Sequence, residues 1–136
     1  MTVTDTTVQR INPTPWSEVF GYDQAQVRPA PTRLLALAGQ GPVDDTGALR
    51  HVDDIGGQID LTLTNIETLL ELAGMGWPDV VRLAIYTTDM DGVLAEYARI
   101  STRLAAANAS PPATLLGVAR LALPGMALEI EVTAAQ

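Results

Sequence analysis

Cysteine and lysine are both absent from this chain of 136 residues, and it contains a single histidine, His51. Without cysteine there can be no disulfide, thiolate nucleophile, thiolate zinc site or iron–sulfur cluster. Without lysine there can be no Schiff-base catalysis, no covalently attached pyridoxal phosphate and no P-loop lysine. We therefore expect no metal and no cofactor. Any chemistry must use carboxylates, hydroxyls, arginine, backbone amides and water.

Positive charge is also scarce, since eight arginines oppose sixteen acidic residues and give a formal net charge of −8. The arginines are dispersed, whereas binding to phosphates needs a basic surface, so we expect no nucleic-acid partner. No segment approaches the roughly 18 apolar residues that cross a membrane. The first ten residues also lack the basic start and apolar stretch of a secretory signal. We expect a cytoplasmic protein with no membrane partner.

The composition that remains is typical of a globular domain, because 47% of the residues are hydrophobic and 18% are charged. The length favours one domain over residues 1–136 with a single core. Apolar residues three or four apart predict a helix at 54–73, capped by Asp53 or Asp54 and closed by Gly74. A second helix is predicted at 92–107. Strands are predicted at 32–39, 79–88, 114–122 and 126–134, with a further short strand candidate at 48–52.

This order of elements predicts an α+β domain in which two helices cover one face of a single sheet. The strand at 79–88 is apolar on both sides, with Val81, Leu83 and Ile85 predicted on one face and Val80 and Ala84 on the other. The strand at 114–122 is apolar on both sides as well, and this pattern is typical of strands covered on both faces. Since two helices cover only one face, we expect the second face to be covered by another copy of the protein.

The clearest candidates for chemistry are Glu129 and Glu131, which lie on the same face of the last strand. A carboxylate that faces a cleft can hold or activate water. The alternative is that both glutamates pair with arginines such as Arg82 or Arg120, or face solvent. Tyr22 lies in a proline-flanked stretch and could line a pocket or cover the core. The Gly39–Pro42 turn could present a backbone amide to a substrate, although tight turns at strand ends look the same.

Taken together, four segments resemble the RidA/YjgF (Rid) family, which is also called the endoribonuclease L-PSP family. The segments are AGQGPVD–TGAL (38–49), IETLLELAG (66–74), DVVRLAIYTTDMD (79–91) and PPATLLGVARLALPGMALEIEVTA (111–134). They occur in the order and at the spacing of the family.

The resemblance implies a chorismate-mutase-like α+β fold and a homotrimer with three clefts between subunits. It also implies cofactor-free hydrolysis of enamines and imines, such as 2-aminoacrylate, to ketoacids and ammonia. In this family Glu129 would orient the attacking water, Tyr22 would lie in the cleft, and the amide of Gly39 would contact a substrate carboxylate.

The chain departs from the family pattern at the residues that hold the substrate. The P-A-R-S/T segment of the family carries an arginine that grips the substrate carboxylate, but here Ala113 and Thr114 occupy this segment. Ala38 replaces a serine, and Tyr97 stands where an asparagine is usual. We therefore expect a divergent Rid protein that is a poor 2-aminoacrylate deaminase.

Three functions follow as hypotheses. The first is a hydrolase or deaminase-like enzyme acting on an imine, enamine or related reactive small molecule. The second is a non-catalytic trimer that binds a metabolite for sensing or regulation. The third is ribonuclease activity, which the acidic charge and the lack of a histidine pair disfavour.

Overall fold

Residues 8–136 are described here in a computed structural model. A short antiparallel pair of strands, β1 (Gln9–Ile11) and β2 (Ala25–Val27), flanks a 3-10 helix at Pro15–Phe20. The chain then forms β3 (Leu34–Ala36), α1 (Ile55–Leu72), β4 (Val80–Thr87), α2 (Met90–Ala95), α3 (Ala98–Ala106), β5 (Ala113–Gly117) and β6 (Leu128–Ala135).

The main sheet has the strand order β3-β6-β4-β5, so β3 and β5 form its two edges. Strands β4 and β5 are parallel and are connected through α2 and α3, whereas β6 is antiparallel to both of its neighbours. The predicted α+β class, with a mixed sheet and helices on one face, is confirmed.

Helix α1 begins and ends where the sequence predicts. The Asp54 carboxylate accepts a hydrogen bond from the Gly57 N–H at 3.0 Å, so Asp54, and not Asp53, is the cap. Gly74 has a φ of 71°, and the next N–H, that of Met75, donates to the Leu70 carbonyl at 2.9 Å. This left-handed closure favours glycine and ends the helix. The apolar stripe of α1 is buried in the core and consists of Ile59, Leu63, Ile66 and Leu70.

Strand β6 alternates as predicted, with Leu128, Ile130, Val132 and Ala134 buried against the helices. Strand β4 departs from simple alternation. The register with β6 shifts between Val80 and Arg82, which places Val80 in the core beside Leu83 and Ile85. The prediction that Val80 faces away from Leu83 was therefore wrong, because a β-bulge adds one residue and changes the face.

The predicted helix at 92–107 is divided into α2 and α3 around Glu96 and Tyr97. The N–H groups of both residues bond three residues back, to the carbonyls of Val93 and Leu94, which tightens the chain at this point. Val93 and Ile100, on either side of the break, are both fully buried. The break therefore leaves the core face of the two helices intact.

Strand β3 covers only Leu34–Ala36 of the predicted 32–39, although the N–H groups of Leu37 and Gln40 still donate to β6. Two other predicted strands are also shorter than expected. Strand β5 ends at Gly117, which is opposite Thr87, the last residue of its parallel partner β4. The candidate at 48–52 is reduced to an isolated bridge between Val43 and Leu49. In neither case does a neighbouring strand continue the pairing.

The sheet face away from the helices is open in the single chain. Leu34 is 70% exposed on β3 and Leu116 is 48% exposed on β5. Within residues 8–136, no helix is long and apolar enough to cross a membrane.

Candidate functional site

Glu129 lies on the open face of β6, directly opposite Tyr86 of β4. Its carboxylate lies against the backbone of Gly39: a β-carbon at residue 39 would overlap Glu129 Oε1 and would be 2.7 Å from Glu129 Cδ. Gln40 exchanges two hydrogen bonds with Ile130, each of 2.8 Å, and this pairing fixes the turn beside β6. The structure thus brings together two residues that the sequence predicted for the site.

The N–H of Gly39 makes no hydrogen bond within residues 8–136, although the nearby N–H groups of Leu37 and Gln40 donate to carbonyls of β6. An unpaired amide next to a carboxylate can donate to an oxygen of a bound molecule. Glu129 is half-buried, while Glu131, two residues further on, is exposed. Neither glutamate has a salt bridge to an arginine in the described part of the chain, so the pairing with Arg82 or Arg120 is not seen.

Tyr22, Ala113 and Thr114 meet at the other edge of the sheet, where they line a cavity of about 320 Å³. The remaining lining residues are Phe20, Leu94, Tyr97 and Leu115. The size is within the range of small-molecule sites, which is about 300–1,000 Å³. No arginine or acidic side chain lines this cavity, so its wall is aromatic, aliphatic and hydroxyl-bearing.

Four aromatic rings form one cluster at this cavity. The ring centroid of Tyr22 is 6.0 Å from that of Trp16 and 6.3 Å from that of Phe20, and Phe20 lies 6.0 Å from Tyr97. Burial, and then the nearby phenol of Tyr22, raises the pKa of Tyr97. Sequence reasoning missed Phe20, Leu94 and Tyr97, although the four-residue spacing of Trp16 and Phe20 before Gly-Tyr was a usable signal. The Tyr97 position was noted only as a missing asparagine.

Tyr22 is held in place from both sides along the chain. Gly21 ends the 3-10 helix with a φ of 76°, and a β-carbon there would be 3.2 Å from Ser101 Cβ. Asp23, which is 1% exposed, accepts hydrogen bonds of 2.8 Å from Asn12 and from Ser110 and of 2.9 Å from Arg10. Since Ser110 precedes β5, this network connects the segment carrying Tyr22 to the strand carrying Ala113 and Thr114.

Arg82 lies at the border of the cavity, on the open face of β4. Its guanidinium donates a hydrogen bond to the Thr114 hydroxyl on the adjacent strand. Among the described residues, no carboxylate lies within salt-bridge distance of Arg82. Arg33, by contrast, is remote from this site: it binds the Gln136 side chain and the Ala73 carbonyl.

The predicted site residues therefore form two groups within one chain. Gly39 and Glu129 lie at the β3 side of the sheet, and Tyr22, Ala113 and Thr114 lie at the β5 edge. Glu129 lies on β6, which is two strand spacings, or about 10 Å, from β5. No group of three or more potential metal-ligating histidine or carboxylate side chains occurs in residues 8–136.

Comparison with known proteins agrees with this fold. The family model described as Endoribonuclease L-PSP matches residues 17–136. The structure of YyfB from Yersinia pestis, a Rid family protein, is 33% identical, with 95% of this chain and 98% of that chain covered and a TM-score of 0.82. The YjgF gene product of E. coli is 26% identical, with 85% and 87% covered and a TM-score of 0.68.

YyfA from Yersinia pestis, another Rid protein, is 27% identical, with 98% of this chain and 96% of that chain covered and a TM-score of 0.68. No curated protein matches the chain. The family match covers nearly all of the described residues, and the similarity to the solved Rid structures extends over the whole fold. The chain belongs to the Endoribonuclease L-PSP family, the YjgF/Rid family of proteins.

Proposed function

We propose that the protein is a cofactor-free hydrolase of imines or enamines, acting in three clefts between the subunits of a homotrimer. The observation that carries this proposal is the separation of the two residue groups. Gly39 with Glu129 and the Tyr22 cavity lie at opposite sides of one sheet. A neighbouring copy that packs against the open face can bring the Glu129 side of one subunit to the Tyr22 side of the next.

The reaction needs one water molecule and no group that the chain lacks. Glu129 accepts a proton from water while the water oxygen bonds to the imine carbon, and the electron pair of the C=N bond moves to nitrogen. This proton then passes to the nitrogen, which gives a carbinolamine. The hydroxyl proton of the carbinolamine is transferred to the nitrogen as the C–N bond breaks, so that the carbonyl group forms and ammonia leaves. The products are a ketone or ketoacid and ammonia. The Gly39 N–H donates to a substrate oxygen, and Tyr22 closes the pocket against solvent.

A non-catalytic trimer that binds a metabolite is the second candidate. It is favoured by the Ala113–Thr114 segment, which provides no charge where the family has its arginine, and by a cavity wall that contains no ionic group. Such a protein would bind a small metabolite without turnover. Ribonuclease activity, suggested by the family's description, is disfavoured by the net charge of −8 and by the single histidine. A cytoplasmic location stays part of the proposal.

The decisive test compares Glu129→Gln with Glu131→Gln. Imines are generated in place from amino acids by an amino-acid oxidase, and their hydrolysis is followed by competition with semicarbazide. We expect Glu129→Gln to lower the rate by about 100-fold or more, because general-base catalysis contributes about 10²–10⁴-fold. Glu131→Gln removes the same charge from the same face and is expected to leave the rate within about twofold of wild type.

Equal rates for the two variants would show that Glu129 does not activate water. If the wild-type trimer binds ketoacids but hydrolyses no imine, the binding function replaces the enzymatic one. RNA cleavage that depends on Glu129 would contradict both proposals.

A further inference from the structure

We propose that Arg82 and Thr114 form an anion anchor at the edge of the aromatic cavity, and that the ligand is a carboxylate with a bulky aromatic or branched side chain. The inference rests on the proposed function in taking this cavity as half of the reaction site. It assigns the positive charge of the anchor to β4 and not to β5, the strand that carries the family's arginine, and it adds a preference for the side chain of the ligand.

The first observation is the unused hydrogen-bonding capacity of Arg82. A guanidinium has five N–H groups, and the single bond from Arg82 to the Thr114 hydroxyl uses only one of them. Most of the other arginines bind carboxylates or are held by carbonyl groups, as Arg28 is by Pro78 and Val80. Arg82 is exposed on the open face and has no acidic partner within residues 8–136. A planar guanidinium with free N–H groups suits a carboxylate.

The second observation is that the Thr114 hydroxyl can still donate a hydrogen bond. The hydroxyl oxygen accepts from Arg82, so its own hydrogen is free to donate. A carboxylate at this point would accept one bond from the Thr114 hydroxyl and further bonds from Arg82. Thr114 lines the cavity, so the anion would lie at its edge and not deep inside it.

The third observation is the cavity next to this anchor. Phe20, Tyr22 and Tyr97 provide aromatic surfaces, and Leu94 and Leu115 add aliphatic ones. The free energy gained when apolar surface is removed from water grows with the area buried, so a large side chain gains much more here than a methyl group does. The small, flat substrate 2-aminoacrylate would leave most of the 320 Å³ unfilled.

Binding to the intact protein tests the anchor without requiring turnover. Isothermal titration calorimetry would compare phenylpyruvate, pyruvate and phenylacetone, which is a neutral ketone of similar shape to phenylpyruvate. We expect wild type to bind phenylpyruvate at least about tenfold more tightly than the other two compounds. Only phenylpyruvate has both a carboxylate for the anchor and an aromatic ring for the cavity. Arg82→Ala should lower the affinity for phenylpyruvate by about 10- to 100-fold and leave the affinity for phenylacetone unchanged.

Arg120→Ala is the matched control, since Arg120 is also exposed and has no salt bridge within residues 8–136. It should change phenylpyruvate binding by less than about twofold. Phe20→Ala should lower the affinity for phenylpyruvate and for phenylacetone to a similar extent. Val19→Ala changes a residue that is 79% exposed and should lower neither affinity. Circular dichroism would confirm that each variant is folded.

Equal phenylpyruvate affinity for wild type and Arg82→Ala, or equal affinity for pyruvate and phenylpyruvate, would overturn the inference. Failure of the proposed function gives a different result. If phenylpyruvate binds through Arg82 but no imine is hydrolysed, the anchor stands and the hydrolase does not. If hydrolysis depends on Glu129 but is unaffected by Arg82→Ala, the hydrolase stands and the anchor does not.

Discussion

The backbone at residue 39 restricts where the Glu129 carboxylate can lie. A methyl group at this position would overlap Glu129 Oε1, and glycine is the one residue that leaves this space free. We expect Gly39→Ala to displace the carboxylate and to lower the rate of imine hydrolysis by about 10- to 100-fold, because a misplaced general base loses much of its contribution.

Gly76→Ala is the control for this substitution. A β-carbon at Gly76 would have only an ordinary contact of 3.5 Å with Pro78, and its backbone is extended. The two variants would be compared by imine hydrolysis and by thermal unfolding. A Gly39→Ala protein with the wild-type rate would show that Glu129 can act from another position.

For individual site residues, resemblance to the family predicts more than the local sequence pattern does. Glu129, Gly39 and Tyr22 were predicted from positions that match the family, and the structure places Gly39 in contact with Glu129. The roles of these residues stay predictions. Arg82 was considered only as an ion-pair partner for the glutamates. Its approach to Thr114 depends on the pairing of β4 with β5, and those residues are 32 positions apart in sequence. Periodicity within a segment carries no information on such a contact.

At the scale of elements, Asp23 connects the β1–β2 pair to the loop before β5. Burial raises the pKa of Asp23, but hydrogen bonds from Arg10, Gln26, Asn12 and Ser110 outweigh burial and hold this pKa well below its usual range. The ionised carboxylate therefore stabilises the folded state. This contribution is present above the unfolded pKa of about 3.9 and is lost as the pH falls through the lowered folded value.

We expect Asp23→Asn to lower the free energy of unfolding at pH 7 by about 1–3 kcal/mol, because it weakens charged hydrogen bonds at a buried site. Asp45→Asn, at an exposed turn residue, should have almost no effect. Urea unfolding at pH 7 and at pH 3 would measure both variants. The difference between wild type and Asp23→Asn should be smaller at pH 3, and a difference that grows in acid would contradict the assignment.

The helices and β6 could be predicted because each has a clear period and clear ends, such as the Asp54 cap and Gly74. The division between α2 and α3 could not, because no glycine or proline marks it. The bulge at Val80–Arg82 could not be predicted either, because apolar residues in a row can place their side chains on either face of the strand. Both features are set by packing against other elements.

At the scale of the whole molecule, the open sheet face exposes apolar side chains that no other part of the single chain covers. It carries the exposed Leu34 and Leu116, and the two halves of the proposed site lie on opposite sides of it. Covering this face with further copies would bury apolar surface and complete the clefts at the same time. The proposed trimer and the proposed activity are therefore expected to fail together.

Leu116→Glu tests this coupling, because Leu116 is 48% exposed on the open face of β5, close to Thr114. Burying a new carboxylate at a subunit contact is unfavourable, so we expect the variant to dissociate and to lose imine hydrolysis. Leu72→Glu is the matched control, since Leu72 is 81% exposed on α1. Light scattering on a sizing column should give three times 14.4 kDa for wild type and for Leu72→Glu, and a lower mass for Leu116→Glu. A monomeric wild type that still hydrolyses imines would refute sites shared between subunits, because one chain would then have to join residue groups whose strands, β6 and β5, lie two strand spacings or about 10 Å apart in the sheet.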